Sequence, residues 1–398
     1  MIAANFQVLD FRPLFLTVEG IGPFQQQPFQ LDFTDADDEP CNVYLLLSKN
    51  GMGKTTLLDL MASLMGMFEQ RVPESIGFED LDSGAGRAQW DFLVRVRKDG
   101  EETTRILSLV AGRDEPWGLN PWGESRLARY GAQAHSLFGF IRQASGRLSR
   151  VGEGSGSGGQ PRGLSMVVDG LVDDDFVADI LAAMHAHQNQ APDAFEDAPL
   201  TMPTLLLFSA YRDIPRVQDS QRGVIQPPSW GYRPVHRFGT ESQGWQDSLD
   251  NLLVWLKWLD DGRYEQAIKV INERVFVESP KFLKGVRKQP PEAMVVSGGN
   301  PHRLDRLSSG EKSLIQLYLR VGVHMTRNTL LLVDELDIHL HSIWQHRTLS
   351  FFKQLAVDHP GLTIITSTHA RELIPAFGHD IPEPGLRKGG HIIEEGVA

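Results

Sequence analysis

The sequence predicts an α/β fold with a mixed central sheet, an antiparallel β subdomain and a helical lobe. Three observations predict it. Residues 43–47, 330–333 and 362–368 are short apolar-rich runs that lead into polar residues, as strands buried on both faces do. Residues 13–33 and 90–110 alternate apolar and polar side chains, the mark of strands with one covered face. Residues 245–274 space their leucines for a helix.

Each element follows in order. Leu14, Leu16 and Val18 alternate with Phe15, Thr17 and Glu19 until Gly20, Ile21, Gly22 and Pro23 break the run. Phe29, Leu31 and Phe33 resume it, so 13–33 reads as two strands around a turn. After the buried run at 43–47, residues 55–67 read as a helix with Leu57, Leu58, Leu60, Met61, Leu64 and Met65 inward. Residues 90–96 and 104–110 flank Lys98, Asp99, Gly100 and Glu101, a hairpin signal. Residues 112–200 are less regular. They hold a Gly/Ser-rich stretch at 152–163, a helical pattern at 172–187 and an acidic, Pro-containing stretch. Order returns with a strand at 204–208, one long helix at 245–274, a short strand at 293–296 and a helix at 313–323. The expected division is 1–111 for the first part of a core and 112–203 for an insertion. Then come 204–240 for a return strand and loop, 241–325 for a helical lobe, and 326–398 for the rest of the core.

Composition bounds the function. The chain is 41% hydrophobic and 23% charged, as globular proteins are, and shows no repeat or heptad run. A net charge of −12 excludes a dominant basic footprint for nucleic acid. A local patch stays open: Lys281, Lys284, Arg287 and Lys288, with Phe282 among them. Cys41 is the only cysteine, which excludes an internal disulfide and a cysteine-based zinc site. No apolar stretch approaches the ~18 residues of a membrane helix, and the N-terminus lacks the pattern of a signal peptide. A cytoplasmic protein without a membrane partner is expected.

Four motifs carry chemistry. Ser48, Lys49, Asn50, Gly51, Met52, Gly53, Lys54 and Thr55 follow a buried run and open a helix, with Thr56 next. Small residues there let backbone N–H groups approach phosphates, and the helix start favours negative charge. Lys54 is expected on the β- and γ-phosphates of a nucleotide and Thr55 on Mg²⁺. Ser48 stands where the usual pattern has glycine. The run at 330–333 delivers Asp334 and Glu335 to its end. Asp334 is expected to hold Mg²⁺ through water, and Glu335 to polarise the attacking water as general base. The run at 362–368 closes on His369, placed to hydrogen-bond a γ-phosphate. Leu307, Ser308, Ser309, Gly310, Glu311 and Lys312 precede a helix and form an anion site. A capping box, Ser308 with Glu311, can coexist with it. A chain that already has a phosphate loop needs this second site only if it serves another subunit's ATP. The plain alternatives are a glycine turn with a chance lysine, an acidic strand end capping a helix, and a structural histidine.

Together these motifs resemble the ATP-binding-cassette (ABC) ATPase heads of the structural-maintenance, RecF and overcoming-lysogenisation-defect group of P-loop NTPases. The resemblance runs over roughly 1–110 and 204–375 and is carried by residues 50–56, 307–311 and 334–341. It implies an ABC-type head that forms a head-to-tail homodimer or higher homo-oligomer, with ATP and Mg²⁺ at the interface. Ser308 and Gly310 of one subunit would face the γ-phosphate bound by Lys54 of the other, with Ser309 and Glu311 beside them. Ile338, His339, Leu340 and His341 would cross the interface. The family's γ-phosphate-sensing glutamine has no counterpart after 204–208, where Tyr211 and Arg212 stand. Arg212 reads as a phosphate or partner contact, or as a surface arginine. The TOPRIM nuclease domain of the lysogenisation-defect members is expected to be absent, because the chain runs only to Ala398 after His369. A separate effector, a nuclease or toxin, is then expected, as in anti-phage systems of the PARIS, Septu and retron types. Direct DNA binding by a repair ATPase is the alternative. A transporter subunit is disfavoured, since transporter heads place the signature segment much nearer the phosphate loop.

Overall fold

A computed structural model describes residues 6–113, 115–151, 163–167, 170–188, 190, 192, 200–214, 216–218, 222–239, 244–277, 279–378 and 384–394. The Gly/Ser-rich stretch at 152–162 and the acidic residues at 193–199 lie outside them. Along the chain run β1 (Phe6–Glu19), β2 (Phe29–Asp32), β3 (Val43–Leu47), α1 (Lys54–Gly66) and α2 (Glu79–Asp82). Next come β4 (Arg87–Lys98), β5 (Glu101–Gly112), α3 (Glu124–Arg129), β6 (His135–Arg142), β7 (Leu148–Arg150), β8 (Gly163–Val167), β9 (Gly170–Asp174) and α4 (Asp175–His187). The central stretch holds β10 (Thr204–Phe208), β11 (Val235–Phe238), α5 (Leu249–Leu259), α6 (Arg263–Arg274), β12 (Lys281–Lys288), β13 (Pro291–Ser297) and β14 (Asn300–Arg303). The last stretch holds α7 (Ser309–His324), β15 (Thr329–Val333), α8 (Ser342–Asp358), β16 (Thr363–Thr368), α9 (Leu373–Gly378) and β17 (Lys388–Ile392).

Three sheets organise these elements, so the fold is α/β with a mixed sheet, a parallel sheet and a small antiparallel one. The mixed sheet orders β2-β1-β4-β5-β6-β8-β9, with β7 on β6. It is antiparallel except for the β5–β6 pair. The segment 112–203 contributes β6 to β9 to this sheet, and Phe138, Phe140, Phe176 and Ile180 to its core. The second sheet orders β11-β10-β15-β16-β3-β17 and is parallel throughout. Its strands read as continuous apolar runs because both faces are covered. One face meets α1, whose Leu57, Leu58, Leu60, Met61, Leu64 and Met65 are all buried; the other meets Leu349 and Phe352 of α8. Burial of each such side chain stabilises the stack by about 2 kcal/mol.

The third sheet, β12-β13-β14, packs with α5, α6 and part of α7 as a helical lobe with its own core. Here two expectations change. The stretch 245–274 is two helices, because Asp260 at φ 53° and Gly262 at φ 94° turn the chain between α5 and α6. The leucine face therefore lines a compact lobe. The basic run 281–288 is strand β12, and Lys281 and Arg287 pair with Glu311 and Glu292. Helix α7 joins the two cores: Leu314, Tyr318 and Leu319 belong to the lobe, Leu317 and Val321 to the parallel sheet.

Candidate functional site

A parallel sheet puts the C-terminal ends of all its strands on one edge, and β15, β16 and β3 are neighbours there. The topology alone therefore sets Asp334 and Glu335, Thr368 and His369, and the loop from Ser48 side by side. The loop turns through Gly51 and Gly53, at φ 79° and 88°. A Cβ on Gly53 would stand 2.7 Å from Pro23 and 2.8 Å from Phe24, so both backbone shape and space require glycine. Gly51 has open space around it, and Asn50 is exposed. Met52 packs on the main core.

Lys54, the first residue of α1, is buried and folds its ammonium back into the loop. It donates to the carbonyls of Ser48 (2.9 Å) and Lys49 (3.1 Å) and to Ser48 Oγ (3.1 Å). The serine in the usual glycine position thus supplies an acceptor. Burial lowers the Lys54 pKa, while Glu335, Asp334 and Asp337 favour its charged form. Thr55 Oγ1 donates to Asp334 Oδ2 at 2.7 Å, which links the loop to the acid pair across the sheet edge. Asp334 is buried, and its other oxygen accepts from Ser367 Oγ at 2.5 Å. Ser367 Oγ in turn accepts from Glu335 N at 2.8 Å. Glu335 holds φ 44°, a strained backbone for a glutamate, at the point where the chain leaves β15. Thr56 faces the turn at Gly22, where a Cβ would stand 2.8 Å from its methyl group.

Two residues at this edge have roles that the sequence alone does not give. Asp337 is buried, accepts from Thr368 Oγ1 at 2.5 Å, and lies 3.1 Å from His369 Nε2. It holds the ring of the exposed histidine; its only sequence signal is its place two residues after Glu335. Arg212 is the second, and it is not a surface arginine. At 5% exposure it donates to Ser209 O (2.6 Å), Asp334 O (2.9 Å), Glu335 O (3.3 Å) and Ser313 Oγ (2.7 Å). Burial lowers its pKa to about 10, against the pull of Asp334, Glu335 and Asp337. The strand 204–208 ends opposite Val333, just before the acid pair, so the arginine four residues beyond it reaches both the carbonyls of that pair and α7.

The 307–312 segment lies at the start of α7. Ser308 caps the helix, and the capping box is formed: Ser308 Oγ accepts from Glu311 N, and Glu311 accepts from Ser308 N at 3.0 Å. Glu311 also binds Lys281 at 2.9 Å, so its carboxylate is committed to the lobe. Ser308 and Ser309 are exposed. Gly310 lies against the 338–341 loop, where a Cβ would meet His339 O at 2.9 Å. His339 holds φ 61° there. The fold therefore gathers Lys54, Thr55, Asp334, Glu335 and His369 at one edge and sets the 308–311 segment on a separate lobe, tied to that edge through Arg212 and the 338–341 loop.

No protein-family model matches the sequence, and no curated protein sequence matches it. Among solved structures, the SMC head domain from Thermotoga maritima is similar at 12% identity and TM-score 0.33, over 92% of each chain. The cbiO1 structure from Clostridium perfringens, part of the ABC transporter complex cbiONQ, is similar at 10% identity and TM-score 0.31. It matches over 92% of this chain and 81% of that one. At such identities and TM-scores the likeness carries no functional argument.

Proposed function

We propose that this chain is a Mg²⁺-dependent ABC-type ATPase. In this reading it closes a head-to-tail homodimer around ATP and thereby switches a separate effector. The observation that carries the reading is the 2.7 Å contact between Thr55 Oγ1 and Asp334 Oδ2 beneath a glycine loop that holds a buried lysine. A hydroxyl and a carboxylate so placed fit a hard cation with oxygen ligands. The N–H groups of 50–56 and the Lys54 ammonium fit phosphate oxygens. Mg²⁺, when bound, would supply positive charge for the β- and γ-phosphates.

The remaining steps belong to side chains. Glu335, whose backbone is fixed by Ser367 and Arg212, takes a proton from water. His369, steadied by Asp337, stands at the γ-phosphate end of the site as a hydrogen-bonding group. Ser308 and Ser309, exposed on their own lobe, complete the site of a partner copy together with the half-buried Gly310. The effector, a nuclease or toxin in bacterial anti-phage defence, and a cytoplasmic setting are supported by the motif resemblance alone. Direct DNA binding is less well supported, because Lys281 and Arg287 of the basic strand are engaged with Glu311 and Glu292. No described helix is long and apolar enough to cross a membrane.

Complementation tests the shared site. Ser308→Arg and Lys54→Ala variants should each be inactive alone. Mixed, they form heterodimers with one intact site, and ATP hydrolysis should return to as much as about half the wild-type rate per heterodimer. A mixture that forms heterodimers yet hydrolyses no ATP contradicts completion by a partner.

A further inference from the structure

Helix α9 and strand β17 leave an apolar groove at one border of the parallel sheet. β17 is the last strand there, with β3 on one side and no strand on the other among the described residues. The register sets Gly390 beside Leu45 and Ile392 beside Leu47, so these four face the same side of the sheet. With Ile374 and Phe377 of α9 they line a cavity of about 400 Å³. Ile374 is 41% exposed and Ile392 53%, so the rim of the groove puts apolar surface in water. Gly390 has no side chain to fill the space, and a Cβ there would stand 2.9 Å from Leu45 O.

The border strand also offers its backbone. Ile393 N donates to Leu47 O at 2.9 Å and Val43 N to Arg387 O at 3.1 Å, so the odd-numbered residues of this stretch turn their N–H and C=O groups toward β3. Those of Gly390 and Ile392 then point outward, beside the groove that the same two residues line. Natural sheets guard such borders with charge, proline or a bulge. On β17 the groove-facing residues are a glycine and an isoleucine, and Lys388 turns its ammonium to Phe377 O at 2.9 Å, at the end of α9. An extended segment laid along β17 gains main-chain hydrogen bonds from the strand and a pocket for its alternate side chains.

Charge selects the occupant. A second cavity, of about 260 Å³, shares Leu47 and Ile392 with the first and continues it to Lys49, Arg371 and His369. Lys49, Arg371 and Lys388 line the two cavities against one carboxylate, Glu394, on a chain whose net charge is −12. Two copies of β17 laid together would bring these cations face to face, which opposes self-pairing. An acidic segment meets the opposite sign there.

We propose that β17 and its groove dock an extended segment of a separate protein, apolar at alternate positions and acidic at the end that lies toward Lys49 and Arg371. The segment adds a strand to the parallel sheet and fills the cavity with its apolar side chains. The docking stands or falls apart from the ATPase reading.

Selection of random peptides displayed on phage against the full chain, without nucleotide, tests it. Enriched peptides should carry apolar residues at alternate positions and Asp or Glu at one end. A fluorescein-labelled copy of one should bind the wild-type chain, read by anisotropy. Ile392→Pro removes one outward N–H and leaves the ladder to β3 in place, so it should weaken that peptide about tenfold or more. Ile374→Glu puts a carboxylate into the groove without touching the strand, and it should weaken the peptide by a similar factor. Arg371→Glu should weaken the acidic peptide but not a copy whose acids are replaced by amides. A selection that enriches no peptide, peptides without the alternation, or binding that survives both Ile392→Pro and Ile374→Glu overturns the proposal. A nucleotide-free dimer that Ile392→Pro dissolves assigns the strand to a second copy and overturns it as well. Each of these results leaves ATP hydrolysis by the wild-type chain as the separate test of the ATPase reading.

Discussion

Replacing Arg212 with lysine would test whether the two halves of the site are mechanically joined. The guanidinium serves four acceptors: three carbonyls, of Ser209, Asp334 and Glu335, and the hydroxyl of Ser313. A lysine keeps the charge but has three N–H donors on one atom, so it cannot reproduce a planar fork that reaches both β15 and α7. At least one buried acceptor loses its partner, at about 1–3 kcal/mol each. With two orphaned, the variant should be about 2–6 kcal/mol less stable to urea. The effect on chemistry has a different origin. The carbonyl of Glu335 would lose a hydrogen bond that helps hold φ at 44°, so the carboxylate would no longer be held in line. Misplacement on the order of 1 Å costs about a hundredfold in rate. Steady-state ATP hydrolysis at saturating MgATP should therefore fall about 10- to 100-fold, while nucleotide affinity, set by 50–56, changes little. Ser313→Ala, which touches only the α7 end of the bridge, should lower turnover in the same direction. An Arg212→Lys protein with wild-type turnover and wild-type urea midpoint would refute the coupling.

Two further predictions follow from neighbouring networks. Asp337→Asn removes the carboxylate that holds His369, so turnover should fall about tenfold with affinity retained. Combined with His369→Ala it should add little, and full additivity in a double-mutant cycle contradicts the pairing. Asp91 and His135, buried on β4 and β6, share Ser108 Oγ as a partner. Burial raises Asp91 to about 6 and lowers His135 to about 4. The Asp91 contribution to stability falls as pH rises through 6, whereas that of His135 is lost as pH falls from about 6.5 toward 4. Asp91→Asn keeps only the second, so its Tm should climb more steeply between pH 4 and 6 than that of wild type. Equal slopes contradict the assigned protonation states.

The strands of the parallel sheet were legible in sequence, though the sheet was expected to be mixed, because strands covered on both faces must be apolar throughout, as 43–47 and 330–333 are. Its edge was legible for the same reason: polar residues that end such runs share one side of the sheet. Arg212 and Asp337 were not legible. Each works through backbone carbonyls or one side-chain oxygen of residues far away in the chain, and such contacts leave no pattern in a local window. The break at Asp260 was hidden by leucines that kept helical spacing up to it, although Gly262 was a visible breaker. Strand β12 was missed because its charged residues conceal the alternation. Only Leu283 on it is fully buried.

Glu335→Gln offers the most direct test, read as ATP turnover beside the mass of the assembly in solution. The amide keeps the shape and the backbone contacts to Ser367 and Arg212 but cannot take a proton. The account predicts turnover at least about a hundredfold below wild type, retained MgATP binding, and an ATP-dependent dimer that persists. Wild-type turnover in Glu335→Gln, or ATP binding that leaves only monomer, would contradict it.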